Sequence, residues 1–150
     1  MTRVRRVLHP SDFSPASGAA FTKAVEVAKA NRAELIVAHA LPPVAPMVGD
    51  GYLSPQTFAE IDTSTRAHAQ AELARLTARG KKAGVRVRPL LLDGVPHQAI
   101  TRAAKRARVD LIVMGTHGRT GFAKLFLGSV AERVLPLAPC PVLTVRGREK

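Results

Sequence analysis

Leu111-Ile112-Val113-Met114 is the clearest indication of the fold in this sequence. It is apolar at every position, whereas a strand with one face in water alternates apolar and polar residues. Leu35-Ile36-Val37-Ala38 forms a second unbroken apolar run. Runs of this kind are typical of strands buried on both faces, as in a parallel sheet covered by helices. The two stretches therefore predict an α/β fold.

Other short apolar segments, bounded by turn residues or by helical periodicity, complete a set of five predicted strands. The predicted strands are 5–9, 33–40, 85–92, 110–114 and 141–145. Helical spacing separates them: Ile100, Ala103, Ala104 and Ala107, for example, repeat at i, i+3, i+4 and i+7. Alternating strands and helices with right-handed crossovers give an open, doubly wound, parallel five-stranded sheet with helices on both faces.

The connection between the second and third predicted strands contains a helix and an irregular segment. A long helix is predicted over 55–83 and ends at Gly84, since glycine commonly terminates helices. The preceding segment, 41–54, is rich in proline and glycine and is predicted to contain no helix or strand. It is a candidate flap over a site, because ligands in such sheets bind beyond the carboxyl ends of the strands.

The composition fits one folded domain spanning 1–150, because 46% hydrophobic residues are enough to fill a core. Aromatic residues are few, so aliphatic side chains make up most of that core. The first residues lack the apolar run of a secretory signal, and no stretch approaches the roughly 20 apolar residues of a membrane span. Cys140 is the only cysteine, which excludes an intrachain disulfide and a multi-cysteine metal site. We therefore expect a cytoplasmic location.

The charge raises the question of a polyanionic partner. Lysine and arginine total 23 against 11 acids, a formal charge of +12. The basic residues are spread along the chain in short clusters, which favours a solubilising surface over nucleic-acid binding. No His-Glu-x-x-His pairing, nucleophile elbow or Ser-His-Asp set is present, so neither a protein-built metal site nor catalytic residues are predicted.

The segment after the most hydrophobic predicted strand carries the strongest functional signal. Glycines at Gly115, Gly118 and Gly121 allow sharp turns and close approach of a ligand to the backbone. Gly128 and Ser129 follow at the predicted start of a helix, where free N–H groups favour phosphate. These residues make phosphate binding and purely geometric turns about equally good explanations.

The spacing Gly115-x2-Gly118-x9-Gly128-Ser129 is not that of a Walker A loop. It resembles the ATP-binding signature of the universal stress protein family. Val7-Leu8-His9-Pro10-Ser11-Asp12, Gly94-Val95-Pro96 and the last predicted strand, Pro141-Val142-Leu143-Thr144-Val145, are similar to other stretches of that family. The resemblance covers nearly the whole chain and implies an adenine nucleotide alpha-hydrolase-like, Rossmann-like fold.

The resemblance implies a set of ligand-binding residues. Pro10 and Asp12, after the first strand, and Ala40, at the end of the second, match positions near the adenosine. Met114 and Gly115 match positions that border the base and ribose. The positions that it implies around the phosphates are Gly118, Gly128, Ser129 and Val130. His117 and Arg119 are further candidates because they lie within the glycine loop, and the backbone donors rank above the Arg119 side chain. ATP with Mg²⁺ is the ligand that this resemblance implies.

The resemblance further implies a stress-response module that holds ATP with at most slow hydrolysis, and a homodimer that pairs its last strands. Two other classes stay open. One is a slow ATPase or self-phosphorylating enzyme with Ser129 or Thr120 as acceptor. The other is a charge-driven nucleic-acid or polyanion binder, whose affinity would fall steeply with salt. Asp12 also has a structural alternative, because Ser11, Asp12 and Ser14 precede a helix whose N–H groups they could cap.

Overall fold

The computed structural model describes residues 3–43, 47–48, 51–116 and 128–147. Their longer helices and strands alternate along the chain as the sequence predicts, and two short strands are added to the predicted set. In chain order the elements are β1 (Arg6–Pro10), α1 (Pro15–Asn31), β2 (Glu34–Leu41), β3 (Met47–Val48), β4 (Gly51–Tyr52), α2 (Pro55–Lys82), β5 (Arg86–Asp93), α3 (Pro96–Arg106), β6 (Leu111–Gly115), α4 (Ser129–Val134) and β7 (Val142–Val145).

The main sheet has five parallel strands in the order β5-β2-β1-β6-β7. This confirms the predicted doubly wound α/β architecture. The chain builds outward from β1 through β2 and β5, then crosses to the other side for β6 and β7. The strand order therefore reverses between β1 and β6, and the crevice at such a reversal is where open α/β sheets bind ligands.

Helices cover both faces of this sheet and create two apolar layers. One layer packs Val7, Leu35 and Val37 against Phe21 and other buried residues of α1 and α2. The other packs Leu8, Ile36 and Ile112 against α3 and α4. Neighbouring residues of each strand thus enter opposite layers, which explains why the runs in β2 and β6 are continuously apolar.

Helix ends follow from local sequence. Ser14 caps α1 by accepting a hydrogen bond from the Ser17 N–H at 3.2 Å, and Ser54 caps α2 in the same way through Thr57. Gly84 adopts a φ of 89°, a left-handed conformation that glycine reaches without strain, and α2 stops just before it. The predicted termination at Gly84 is confirmed.

The connection between β2 and α2 differs from prediction. It contains a short antiparallel hairpin in which Met47 pairs with Tyr52 and Val48 with Gly51. Strands of two residues are too short to show any periodicity, so the sequence pattern gave no sign of them. No helix in the described part of the chain combines the length and the hydropathy needed to cross a bilayer.

Candidate functional site

A cavity of about 250 Å³ opens at the carboxyl edge of the sheet, beside the strand-order reversal. This volume is slightly below the usual range for small-molecule sites, which begins at about 300 Å³. Its walls come from the ends of β1, β2 and β6, from the starts of α3 and α4, and from Ser17 of α1. The lining residues are Pro10, Ser11, Asp12, Ser17, His39, Ala40, Pro96, Ile100, Met114, Gly115, Gly128, Ser129, Val130 and Ala131.

The cavity brings together every described residue that the sequence nominated for nucleotide binding. These residues come from four separate segments of the chain: Pro10, Asp12, Ala40, Met114, Gly115, Gly128, Ser129 and Val130. The remaining nominations, His117, Gly118 and Arg119, lie outside the described residues, as does the alternative phosphoacceptor Thr120.

The loop after β1 is fixed by a network of short polar side chains. The Asp12 carboxylate accepts a hydrogen bond from the Ser14 N–H at 2.9 Å, and the Ser11 hydroxyl accepts one from the Phe13 N–H at 3.1 Å. The Ser11 N–H donates to the carbonyl of Ala38 at 2.8 Å, which ties the loop to β2. The capping alternative for Asp12 is thus partly realised, because Ser14 caps α1 while Asp12 holds Ser14.

Phe13 turns the loop through an unusual backbone conformation. Its φ is 64°, in the left-handed region that bulky residues rarely occupy. The ring stacks on His39 with centroids 4.3 Å apart and an interplanar angle of 26°. His39 in turn places Nδ1 2.7 Å from the carbonyl oxygen of Ser11. Stacking and hydrogen bonding together hold the loop against the end of β2 at the cavity wall.

Helix α4 supplies backbone donors at the opposite wall. Its first intrahelical hydrogen bond runs from the Glu132 N–H to the Gly128 carbonyl at 2.9 Å. The N–H groups of Ser129, Val130 and Ala131 therefore precede the helical ladder. The expectation that Gly128 also offers a free N–H is wrong, because this group donates to the carbonyl oxygen of Thr116. Gly128 contributes to the site by its place in the cavity wall.

Sequence reasoning missed several wall residues. Ser11 and Ser17 approach each other with hydroxyl oxygens 3.4 Å apart, and Ala131 follows the nominated Val130. Ser17 carried a readable signal, since it is a polar residue on the apolar stripe of α1. Pro96 and Ile100 belong to the start of α3, just after the Gly94-Val95 turn, and were not predicted to line the site.

Cys140 lies outside the cavity wall and shows no sign of activation. It is half-buried against the layer of α3 and α4, as a small apolar side chain would be. Burial raises the pKa of its thiol, with a smaller contribution from Asp110. A raised pKa keeps the thiol protonated and weakly nucleophilic. In the described part of the chain, no three His, Cys, Asp or Glu side chains are grouped as metal ligands.

Similarity in sequence to known proteins identifies the family of this chain. The family model for the universal stress protein family matches residues 3–146. Universal stress protein MJ0531 of Methanocaldococcus jannaschii is 34% identical over 146 residues, which cover 97% of this chain and 84% of the relative. A universal stress protein of Thermus aquaticus is 40% identical over 119 residues, covering 79% of this chain and 82% of the relative.

Solved structures share the whole architecture. The structure of protein MJ0577 matches with a TM-score of 0.86 and 25% identity, covering 99% of this chain and 100% of that one. A universal stress protein solved in complex with cAMP matches with a TM-score of 0.71 and 27% identity, covering 98% and 100%. The chain therefore belongs to the universal stress protein family.

Proposed function

We propose that this chain is an ATP-binding regulatory module of the stress response, with the nucleotide held in the cavity between the ends of β1 and β6. The observation that carries the proposal is the convergence of residues from four separate segments on one cavity at the strand-order reversal. The relative solved with cAMP supports an adenine nucleotide as the class of ligand.

The nucleoside end of the proposed ligand fits the wall made by β1, β2, α3 and the end of β6. Pro10, Ala40, Ile100 and Met114 give it apolar surface that suits a planar base. The Asp12 carboxylate is positioned to accept hydrogen bonds from ribose hydroxyls, the role that acidic residues have in related nucleotide-binding folds. Because Asp12 is also bonded to the Ser14 N–H, its orientation is fixed before the ligand arrives.

The phosphate end fits the wall made by β6 and α4. Ser129 offers both a hydroxyl and a backbone N–H, and the N–H groups of Val130 and Ala131 lie beside it. His117, Gly118 and Arg119 belong to the same proposal on sequence grounds alone. Mg²⁺ is expected to accompany ATP through the phosphate oxygens, since protein sites usually bind Mg²⁺ with substrate phosphates and few side chains.

The first experiment is to denature the purified protein, identify any released nucleotide, and titrate the stripped protein with ATP by calorimetry. ADP, AMP and cAMP are titrated in parallel, with and without Mg²⁺. Ala40→Leu fills the cavity from β2 and is expected to abolish ATP binding. Ala74→Leu makes the same change on an exposed position of α2 and is expected to leave ATP affinity unchanged.

The thermal transition of each variant distinguishes a blocked cavity from a misfolded protein. Loss of ATP binding in folded Ala40→Leu, with binding retained in Ala74→Leu, would support the proposal. A well-folded wild-type protein that binds none of the four nucleotides would overturn it.

A further inference from the structure

The amino edge of the sheet, opposite the nucleotide cavity, carries a concentration of positive charge. Arg3, Arg5 and Arg6 lie before or at the start of β1, and Arg86 and Arg88 lie at the start of β5. All five arginines are exposed to solvent. The register places Arg6 and Arg86 on either side of Glu34, so these strand starts lie next to one another in space.

The helices add more cations to the same edge. A helix that connects parallel strands runs antiparallel to them, so the carboxyl ends of the helices lie beside the amino ends of the strands. The exposed basic residues at or just after the ends of α1, α2 and α3 are Lys29, Arg32, Lys81, Lys82, Lys105 and Arg106. Arg108, just before β6, is also exposed. We call these cations and those of the strand starts the amino-edge surface.

Carboxylates of the same segments are occupied by structural contacts. Glu34 receives Arg88 Nε at 3.1 Å and lies 3.8 Å from Arg6 Nε. Asp110 accepts hydrogen bonds from the backbone N–H groups of Arg5 and Arg6 at 2.8 and 2.9 Å. In the described part of the chain, the other cations of the amino-edge surface make no ion pair. The surface is therefore strongly positive.

Helix stability alone does not account for this arrangement. Cations at helix carboxyl ends interact favourably with the helix dipole, which explains Lys29, Lys82 and Lys105. It does not explain Arg3, Arg5 or the cations of β5, which start strands. The cations are scattered along the sequence, and the topology gathers them at one edge.

We propose that the amino-edge surface binds double-helical nucleic acid through its phosphate backbone. Most of the cations are arginines, whose planar guanidinium groups bind phosphate oxygens in pairs. The residues that separate the cations are small, among them Ala30, Ala83, Gly84 and Ala107. None of these segments exposes an aromatic ring for base stacking, which favours a duplex over a single strand.

The segments that carry these cations expose no large apolar side chain. Two exposed leucines, Leu135 and Leu137, lie in the turn after α4, at the same edge of the sheet, so anionic lipid is the ligand that the experiment compares with the duplex. Contacts made only to phosphates read no base sequence, so the expected binding is independent of sequence. Its affinity is expected to fall linearly with salt on logarithmic axes, with a slope of about −0.9 for each phosphate contacted.

The test is fluorescence anisotropy with a labelled mixed-sequence DNA duplex over a series of salt concentrations. The edge variant combines Lys82→Gln, Arg86→Gln and Arg106→Gln. The matched control combines Lys23→Gln, Arg75→Gln and Arg102→Gln, which remove the same charge away from the amino edge. The edge variant is expected to lose at least about tenfold in affinity and about 0.9 of slope per lost contact, the control less than about threefold.

Three results would overturn the proposal. They are no duplex binding by the wild type at low salt, equal losses in both variants, and preference for anionic phospholipid vesicles over duplex at equal phosphate concentration. ATP titration of the edge variant separates this proposal from the preceding one. The cavity lies a strand length away, on the order of 20 Å, so its ATP affinity is expected to be unchanged.

Discussion

His9 joins two neighbouring strands just beyond the point where their ladder ends, with Nδ1 2.9 Å from the carbonyl oxygen of Val113. The register between β1 and β6 pairs Val7 with Leu111 and Leu8 with Ile112. His9 is fully buried, and among the described residues its Nε2 has no hydrogen-bond partner. Because Nδ1 faces a carbonyl oxygen, it carries the proton, and the ring is neutral.

This arrangement predicts a stability that depends on pH. Burial lowers the pKa of His9 to about 4, against partial opposition from the Val113 hydrogen bond and from Asp12. The unfolded chain, with a value of 6.5, takes up a proton that the folded protein excludes. The His9 contribution is therefore complete above pH 6.5 and is lost as the pH falls toward 4. The loss is about 3 kcal/mol of unfolding free energy across that interval.

Urea unfolding at a series of pH values across this interval measures the effect. His9→Leu removes the titrating group while keeping an apolar side chain of similar size. The variant is expected to be less stable at neutral pH, because the Val113 carbonyl loses its partner, but its stability should vary less with pH. An unchanged pH dependence in His9→Leu would assign the acid sensitivity to other groups.

Substitutions of Asp12 and Ser129 are expected to differ in whether the loss of affinity depends on the phosphates of the ligand. Asp12→Asn keeps an oxygen that can accept from Ser14 but removes the negative charge, so it should weaken adenosine and ATP alike by about tenfold. Ser129→Ala should weaken ATP by about threefold to tenfold and leave adenosine unaffected. Calorimetry with both ligands checks this. Equal losses for both ligands in Ser129→Ala would place the phosphates elsewhere.

Two helical glycines are expected to respond in opposite directions to alanine. A Cβ at Gly80 of α2 would lie 2.5 Å from Cγ2 of Val87, so Gly80→Ala overfills the contact with β5. It should cost about 1–3 kcal/mol. A Cβ at Gly18 of α1 would meet nothing within 4 Å, and Gly18→Ala should stabilise the fold by about 0.5–1 kcal/mol.

Chemical denaturation of the two single variants, and of Gly80→Ala combined with Val87→Ala, separates packing from helix propensity. The second substitution makes room for the new methyl group, so it should cost less in the Gly80→Ala background than in the wild type. Additive costs would show that Gly80 is required for some reason other than its contact with Val87.

The strands of the main sheet were predicted well, because a parallel sheet covered on both faces requires continuously apolar strands, and such runs are visible in the sequence. Each predicted strand overlaps an observed one, although β1 covers Arg6–Pro10 rather than 5–9, since ladder hydrogen bonds rather than apolar character set the ends. The end of α2 was also predicted correctly, because Gly84 is a local signal of helix termination. The hairpin of β3 and β4 was not predicted, because strands of two residues are too short to show a periodicity.

The features that sequence could not provide depend on contacts between distant segments. The left-handed backbone of Phe13 is held by its stacking on His39, which is supplied by β2. The unavailable N–H of Gly128 follows from the position of Thr116. The basic amino edge is likewise a product of topology, since strand starts and helix ends meet only after folding.

The open edge of β7 differs from the open edge of β5 in a way that bears on dimerisation. β5 carries exposed Pro89, which has no N–H to offer a further strand, directly after exposed Arg88. β7 instead carries Leu143, which is 38% exposed. The carbonyls of Pro141 and Val145 accept from the N–H groups of Ile112 and Thr116, so alternate residues of β7 face β6.

Thr144 therefore directs its N–H to the open side, where a second copy of β7 would pair with it. Thr144→Pro removes this donor and leaves the hydrogen bonds to β6 in place, so it is expected to convert the proposed homodimer to a monomer with little loss of stability. Light scattering after size exclusion measures the molar mass of each variant. Thr22→Pro is unsuitable as a control, because proline inside α1 would break that helix. Thr144→Ala, which keeps the N–H, is the matched control and should remain dimeric. A dimeric Thr144→Pro protein, or a monomeric wild type, would show that β7 does not pair in this way.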